Sequence, residues 1–285
     1  MAVAARCRCA ADVAPVVLIT GATDGLGRAL AHDLAGRGCD VLVHGRDPDR
    51  LAATVEEIRA ASGRDVGSYR ADLAELAQVR DLADRVAADH PRLHVLVNNA
   101  GVGAEVPGGP ERQESVDGHE LRFAVNYLAG HPLTRRLLPA LQEAGSSADG
   151  PARVVMVSSA GQTAIDFDDV MLRRGYSGWR AYTQSKLAQI LDAFDLAEEL
   201  DPRIITATAL HPATYMPTKI VPSPISTLAE GVAATARLAV DPELAGVTGR
   251  YYNGVREAEP DPQARDRDAR ARLRALAEEL CAPRS

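Results

Sequence analysis

The chain has 285 residues, is 46% hydrophobic and 25% charged, and carries a formal net charge of −7. That composition belongs to a globular protein able to bury a sizeable core. It argues against a nucleic-acid partner, and no apolar run is long enough to span a bilayer.

Residues 1–14 lack the apolar core of a secretory signal and read as a tail. Residues 15–285 read as one domain. A buried strand is expected at 16–20 (VVLIT), then a glycine-bearing turn and a helix with Leu26, Leu30 and Leu34 on one face. A second strand falls at 41–44. A helix over about 48–60 follows, capped by Asp47 with Pro48 in its first turn. A third strand at 66–70, a helix at 75–89 and a fourth strand at 93–97 continue the alternation. Residues 102–118 form a loop, 119–143 a long helical stretch, and 153–157 a fifth strand. An insertion at 161–178 precedes a helix reaching about residue 200. A sixth strand (203–209), a proline-rich loop (213–226), a helix (227–240), a last strand (249–253) and a C-terminal helix (263–281) complete the chain. Strands alternating with helices of this length imply a doubly wound parallel sheet, a Rossmann-type three-layer α/β sandwich. Loops 102–118, 161–178 and 213–226 are the expected substrate loops.

Four cysteines are too few and too scattered for a disulfide framework, which fits a cytoplasmic protein. Cys7 and Cys9 form a C-x-C without a partner pair, and the seven histidines form no ligand cluster, so no metal is expected. Asp166, Asp168 and Asp169 read as a solvated loop.

Two stretches carry chemistry. Gly21, Thr23, Asp24, Gly25, Leu26 and Gly27 join the first strand to the first helix. Glycines there let the backbone approach a pyrophosphate at a helix N-terminus. The second stretch is Tyr182-x-x-x-Lys186, which stacks a phenol and an ammonium on one helix face together with Gln189. A cation about 4 Å away interacts by roughly 4 kcal/mol at an effective dielectric of about 20. That is enough to bring a phenol's pKa from about 10 toward neutrality, making a general acid/base.

With Asn98-Asn99-Ala100-Gly101, Asn126 and Ser159, these motifs stand in the order of the short-chain dehydrogenase/reductase family, which the chain resembles over about residues 15–255. The stretches 123–128, 165–170 and 176–188 are similar to its retinol-dehydrogenase-like branch. The resemblance implies an oxidoreductase interconverting a carbonyl (ketone or aldehyde) and an alcohol. Tyr182 would exchange the proton, Lys186 would hold the nicotinamide ribose and lower the tyrosine pKa, Ser159 rather than Ser158 would bind the substrate oxygen, and Asn126 would hold a relay water. Asn98, Ala100 and Gly101 would line the cofactor groove, and Asp72 and Leu73 would meet the adenine. Asp72 as a helix N-cap is the equal alternative. Pro212 and Thr214, with Thr218 as a second candidate threonine, would lie against the nicotinamide, although Ala213 departs from the family's Pro-Gly.

The cofactor follows from the end of the second strand. NAD enzymes of this fold place an acid there; this chain has Gly45 followed by Arg46, whose guanidinium suits a 2′-phosphate. NADP(H) is therefore expected, although Asp24 stands where NADP enzymes often carry a basic residue. Leu187, Leu191 and Phe194 form an apolar stripe opposite Tyr182, which either packs within the chain or mediates a homodimer. The weighed alternatives are a non-catalytic dinucleotide-sensing regulator and a nucleotide-sugar epimerase or dehydratase.

Overall fold

The computed structural model describes residues 14–105, 111–147, 150–217 and 224–282. Residues 1–13 of the expected tail, with Cys7 and Cys9, lie outside the described residues, as do Thr218 and parts of loops 102–118 and 213–226. The strands are β1 (Val16–Ile19), β2 (Asp40–Gly45), β3 (Gly67–Arg70), β4 (Val95–Asn98), β5 (Ala152–Val157), β6 (Ile205–His211), β7 (Arg250–Asn253) and β8 (Arg256–Ala258). They form one sheet in the order β3-β2-β1-β4-β5-β6-β7-β8. Strands β1 to β7 pair in parallel, and β8 pairs antiparallel to β7. The strand β8 was not anticipated; it is three residues long and mostly exposed, so it carries no apolar alternation to read.

The strand order reverses between β1 and β4. Connections leave in opposite directions there and open a crevice at the carboxyl ends of the strands. Alternation within single strands fills both faces. Val17 and Ile19 join the cluster with Leu26, Leu30 and Leu34, while Leu18 faces the cluster with Leu82, Leu133 and Leu187.

Helices α1 (Gly25–Gly36), α2 (Pro48–Ser62) and α7 (Leu228–Val240) cover the first face; α3 (Leu76–Asp89), α5 (Gly130–Gly145), α6 (Gly178–Glu199) and α8 (Arg267–Cys281) cover the second. Their starts follow local chemistry. Asp47 caps α2 by accepting from Asp49 N and Arg50 N, and Thr227 with Glu230 forms a capping box on α7. Asp72 does not cap α3. Its carboxylate accepts from Ala74 N, and the distant Asp117 accepts from Leu76 N at 2.8 Å.

The long helical stretch is a short helix α4 (Leu121–Phe123), a π-helical turn at Ala124–Leu128, and α5. The apolar stripe of α6 is covered within the chain: Leu187 and Leu191 are fully buried and Phe194 nearly so, in the cluster that includes Leu273 and Ala277 of α8. Each such side chain contributes about 1.5–3 kcal/mol on burial. The stripe thus gives no reason for a homodimer. Among the described residues, no helix is long and apolar enough to cross a membrane.

Candidate active site

The glycine turn is locked from two sides. Gly21 has φ +65°, and a Cβ on it would stand 2.8 Å from Ala100 Cα. A Cβ on Gly27 would meet Gly21 O at 2.4 Å. Only glycine lets the turn, the start of α1 and the end of β4 come this close. Asn99 ties the ends of β1 and β4 together. Its Nδ2 donates to Thr20 O at 2.8 Å, and Thr20 Oγ1 accepts from the amides of Asn99 and Ala100 at 3.0 Å each. His44, at the end of β2, is a second latch. Its Nδ1 accepts from Gly21 N at 3.1 Å and its Nε2 stands 3.1 Å from Ala71 O, the pattern of a neutral imidazole protonated on Nε2. Burial pushes its pKa down to about 4. Neither Asn99 nor His44 is among the site residues expected from sequence. The first lay unremarked inside N-N-A-G, and the second acts across the fold.

Beside this cradle, Gly45 is buried and Arg46 is exposed. A Cβ on Gly45 would stand 2.4 Å from Thr23 Cγ2, so the strand end and the glycine turn are in contact. The side chain of Asn98, at the end of β4, lines a small cavity with Thr20, Leu73 and Ala100. It is buried, with Nδ2 on Thr134 Oγ1 at 3.0 Å and Met156 Sδ at 3.3 Å. Leu73 is buried; Asp72 donates its amide to Gln78 Oε1 at 2.8 Å. Pro212 is buried, and the exposed Thr214 places Oγ1 3.0 Å from His211 Nε2.

Ser177 caps α6 by accepting from Arg180 N. A Cβ on Gly178 would meet Ala104 O at 2.0 Å, so the helix start lies directly on the 103–104 loop. Arg122, fully buried, fastens that loop through Gly103 O at 3.0 Å and Ala104 O at 2.7 Å, and reaches Tyr176 Oη at 2.8 Å. From this base α6 carries Tyr182 to the end of β5. Ser159 Oγ accepts from Gly161 N at 3.1 Å. Burial pushes the Tyr182 pKa up, and the neighbouring Ser159 hydroxyl opposes the rise. The net direction is upward, not the lowering expected from Lys186.

Lys186 Nζ donates to Val157 O and Gln189 Oε1, both at 2.9 Å, and stands 5.8 Å from the Tyr182 ring centroid. Burial brings the Lys186 pKa down to about 7. An ammonium has three donors; two are taken by the protein. Ser158 Oγ donates to Lys186 O at 2.6 Å, so of the two serines Ser159 is the one whose hydroxyl faces Tyr182.

Asn126 lies in the π-helical turn, a local irregularity common at functional sites. Its Oδ1 accepts from Val102 N at 2.7 Å, and its Nδ2 donates to Val102 O at 3.1 Å and Ser185 Oγ at 2.9 Å. Both amide protons are therefore committed, which removes the side chain as a donor to a relay water.

An open cleft of about 510 Å³ adjoins the α6 start, lined by Ala104, Glu105, Arg112, Tyr176, Gly178 and Trp179. Trp179 is 57% exposed, with its ring 6.1 Å from that of Tyr182. Among the described residues, no three His, Cys, Asp or Glu side chains converge to hold a metal ion. Asp166 pairs with Arg180, and Asp169 accepts from the amides of Arg173 and Arg174.

Comparison with known proteins agrees with this geometry. Residues 15–224 match the model of the short chain dehydrogenase family. The mouse polyprenol dehydrogenase is 38% identical over 281 residues, covering 90% of this chain and 81% of its own. Human retinol dehydrogenase 13 is 32% identical over 279 residues, again with 90% and 81% covered. Among solved structures, a short chain dehydrogenase from Shigella flexneri complexed with NADP superposes with a TM-score of 0.67 at 26% identity, covering 84% of this chain and 96% of that one. The Pseudomonas aeruginosa RhlG/NADP complex gives 0.68 at 26% identity, covering 85% and 95%. The parallel sheet, its crevice, the glycine turn and the Ser159–Tyr182–Lys186 cluster thus have one common explanation: the chain belongs to the short-chain dehydrogenase family of oxidoreductases.

Proposed function

We propose that the protein is an NADP(H)-dependent oxidoreductase that interconverts an alcohol and its carbonyl compound, and that its substrates carry an extended apolar chain. The observation that carries the reading is the Ser159–Tyr182–Lys186 cluster at the end of β5, facing the crevice of the glycine turn. The cradle fits a dinucleotide: the close approach of Gly21, Gly27 and Ala100 leaves main chain and the α1 N-terminus at the crevice. Gly45 offers no carboxylate to a 2′-phosphate, and Arg46 is exposed beside it. Two solved relatives named above hold NADP. The apolar substrate class is supported by the names of the sequence relatives, polyprenol and retinol dehydrogenases, and by the exposed Trp179 ring at the cleft.

A nicotinamide held in the crevice would supply the hydride. Tyr182 Oη delivers its proton to the carbonyl oxygen in reduction and takes it from the hydroxyl in oxidation. The Ser159 hydroxyl, beside Tyr182, holds that oxygen. Lys186, anchored by Val157 O and Gln189 Oε1, has one donor left that would hold the nicotinamide ribose, and its charge would support the tyrosinate. Asn126 acts by position: it fixes the Val102 backbone against α6 through Ser185. Asp72 and Leu73 would meet the adenine, and Pro212 with Thr214 would lie against the nicotinamide. Cytoplasmic placement belongs to this reading, and four scattered cysteines fit a reducing compartment.

Titration with both reduced cofactors, followed by addition of retinaldehyde and of short aliphatic aldehydes, tests the proposal. The expected results are tighter binding of NADPH than NADH by about tenfold or more, and faster loss of the reduced-nicotinamide absorbance with retinaldehyde than with the short aldehydes. Equal or tighter NADH binding contradicts the cofactor assignment, and turnover confined to short aldehydes contradicts the substrate class.

A further inference from the structure

The glycine turn carries an acid, Asp24, next to Thr23, whose methyl lies against Gly45 at the foot of Arg46. A bare carboxylate at that point opposes a phosphate by like-charge repulsion. It is not bare. Arg50 Nη2 stands 2.6 Å from Asp24 Oδ2 and also donates to Thr23 O at 3.1 Å. Arg50 sits in the first turn of α2, where Asp47 Oδ1 accepts its amide at 3.0 Å and fixes its main chain. The other Asp24 oxygen, Oδ1, accepts from Gly25 N at 2.9 Å and caps α1. The Asp24–Arg50 pair is therefore held at both ends and is neutral as a unit, which leaves the charge of Arg46 uncancelled.

We propose that Arg50 is a specificity-determining residue for the cofactor's 2′-phosphate, acting through Asp24: by masking the carboxylate it lets a glycine turn that carries an acid accept a phosphorylated dinucleotide. The proposal rests on the NADP(H) reading above. It assigns the clasp a task that a simple fastening of the loop would not have, because fastening serves both cofactors equally.

The test titrates wild type, Arg50→Gln, Asp24→Asn and the double variant with NADPH and NADH, following nicotinamide fluorescence, with thermal unfolding as the check on folding. Arg50→Gln is expected to weaken NADPH binding about tenfold and NADH binding by less than about twofold. Asparagine keeps the cap on Gly25, so adding Asp24→Asn restores NADPH affinity to within about threefold of wild type. Asp24→Asn alone binds NADPH at least as tightly as wild type. Unchanged NADPH affinity in Arg50→Gln, equal losses for both cofactors, no recovery in the double variant, or weaker NADPH binding in Asp24→Asn each overturns the masking role. A failure of the NADP(H) reading itself shows separately, in the wild-type titration.

Discussion

At the residue scale the tightest constraint is on Lys186, a buried ammonium whose pKa burial brings down to about 7. Its charge is supported by two acceptors, Val157 O from the main chain and Gln189 Oε1, one turn along α6. A hydrogen bond to a charged group contributes about 1.5–3 kcal/mol, so Gln189→Leu is expected to cost about tenfold or more in turnover at neutral pH. The sign of the pH effect follows from the same bond. Losing an acceptor for the charged form lowers the lysine pKa further, so the alkaline fall in kcat begins at lower pH. Gln189→Glu supplies a charged acceptor and moves the fall to higher pH. A kcat profile between about pH 6 and 9 checks both shifts; a profile that stays put in both variants denies Gln189 its positioning role.

At the element scale, the cradle depends on contacts between strand ends. His44 joins the end of β2 to the glycine turn and to Ala71 after β3, as a neutral ring whose pKa burial holds at about 4. In the unfolded chain a histidine titrates near 6.5. Between these values the unfolded state binds more protons, so stability rises with pH through that window and is lost as pH falls toward 4. The full loss attached to His44 is about 3 kcal/mol. Urea unfolding of wild type and His44→Gln across the window checks this: the variant is expected to have a flatter pH dependence, and an unchanged slope contradicts the latch.

The same paired ends explain what was legible in the sequence. The order of β1 to β7 and their alternation with helices were readable because segments carry their own periods and caps: Leu26, Leu30 and Leu34 on α1 and Asp47 on α2. Partners far apart along the chain were not. Asp117 at the start of α3, His44 under Gly21, and Arg50 on Asp24 have no local signature, since each depends on how separate elements meet. Tyr182, Lys186 and Ser159 were readable as a family pattern, yet their electrostatics were not. Burial, which sequence spacing does not encode, outweighs the expected lowering of the tyrosine pKa. The side chains of Asn98 and Asn126 likewise turned out to be committed to interior partners.

At the scale of the whole molecule, one sheet with a reversal between β1 and β4 brings three separate sequence regions to one crevice: the glycine turn, the end of β4, and α6 with Tyr182. The rest of α6 is buried between the sheet and α8, so the reacting side chains stand on an element that has little freedom to move. In the proposed reaction Tyr182 exchanges the proton on this rigid support. Tyr182→Phe removes the hydroxyl and leaves the ring packing beside Trp179 in place. The decisive measurement is turnover of an accepted aldehyde by this variant, read from the reduced-nicotinamide absorbance, with NADPH affinity measured on the same sample. The expected result is a loss of about 10²–10⁴-fold in rate with cofactor affinity close to wild type; near-native turnover with intact NADPH binding would contradict the role of Tyr182.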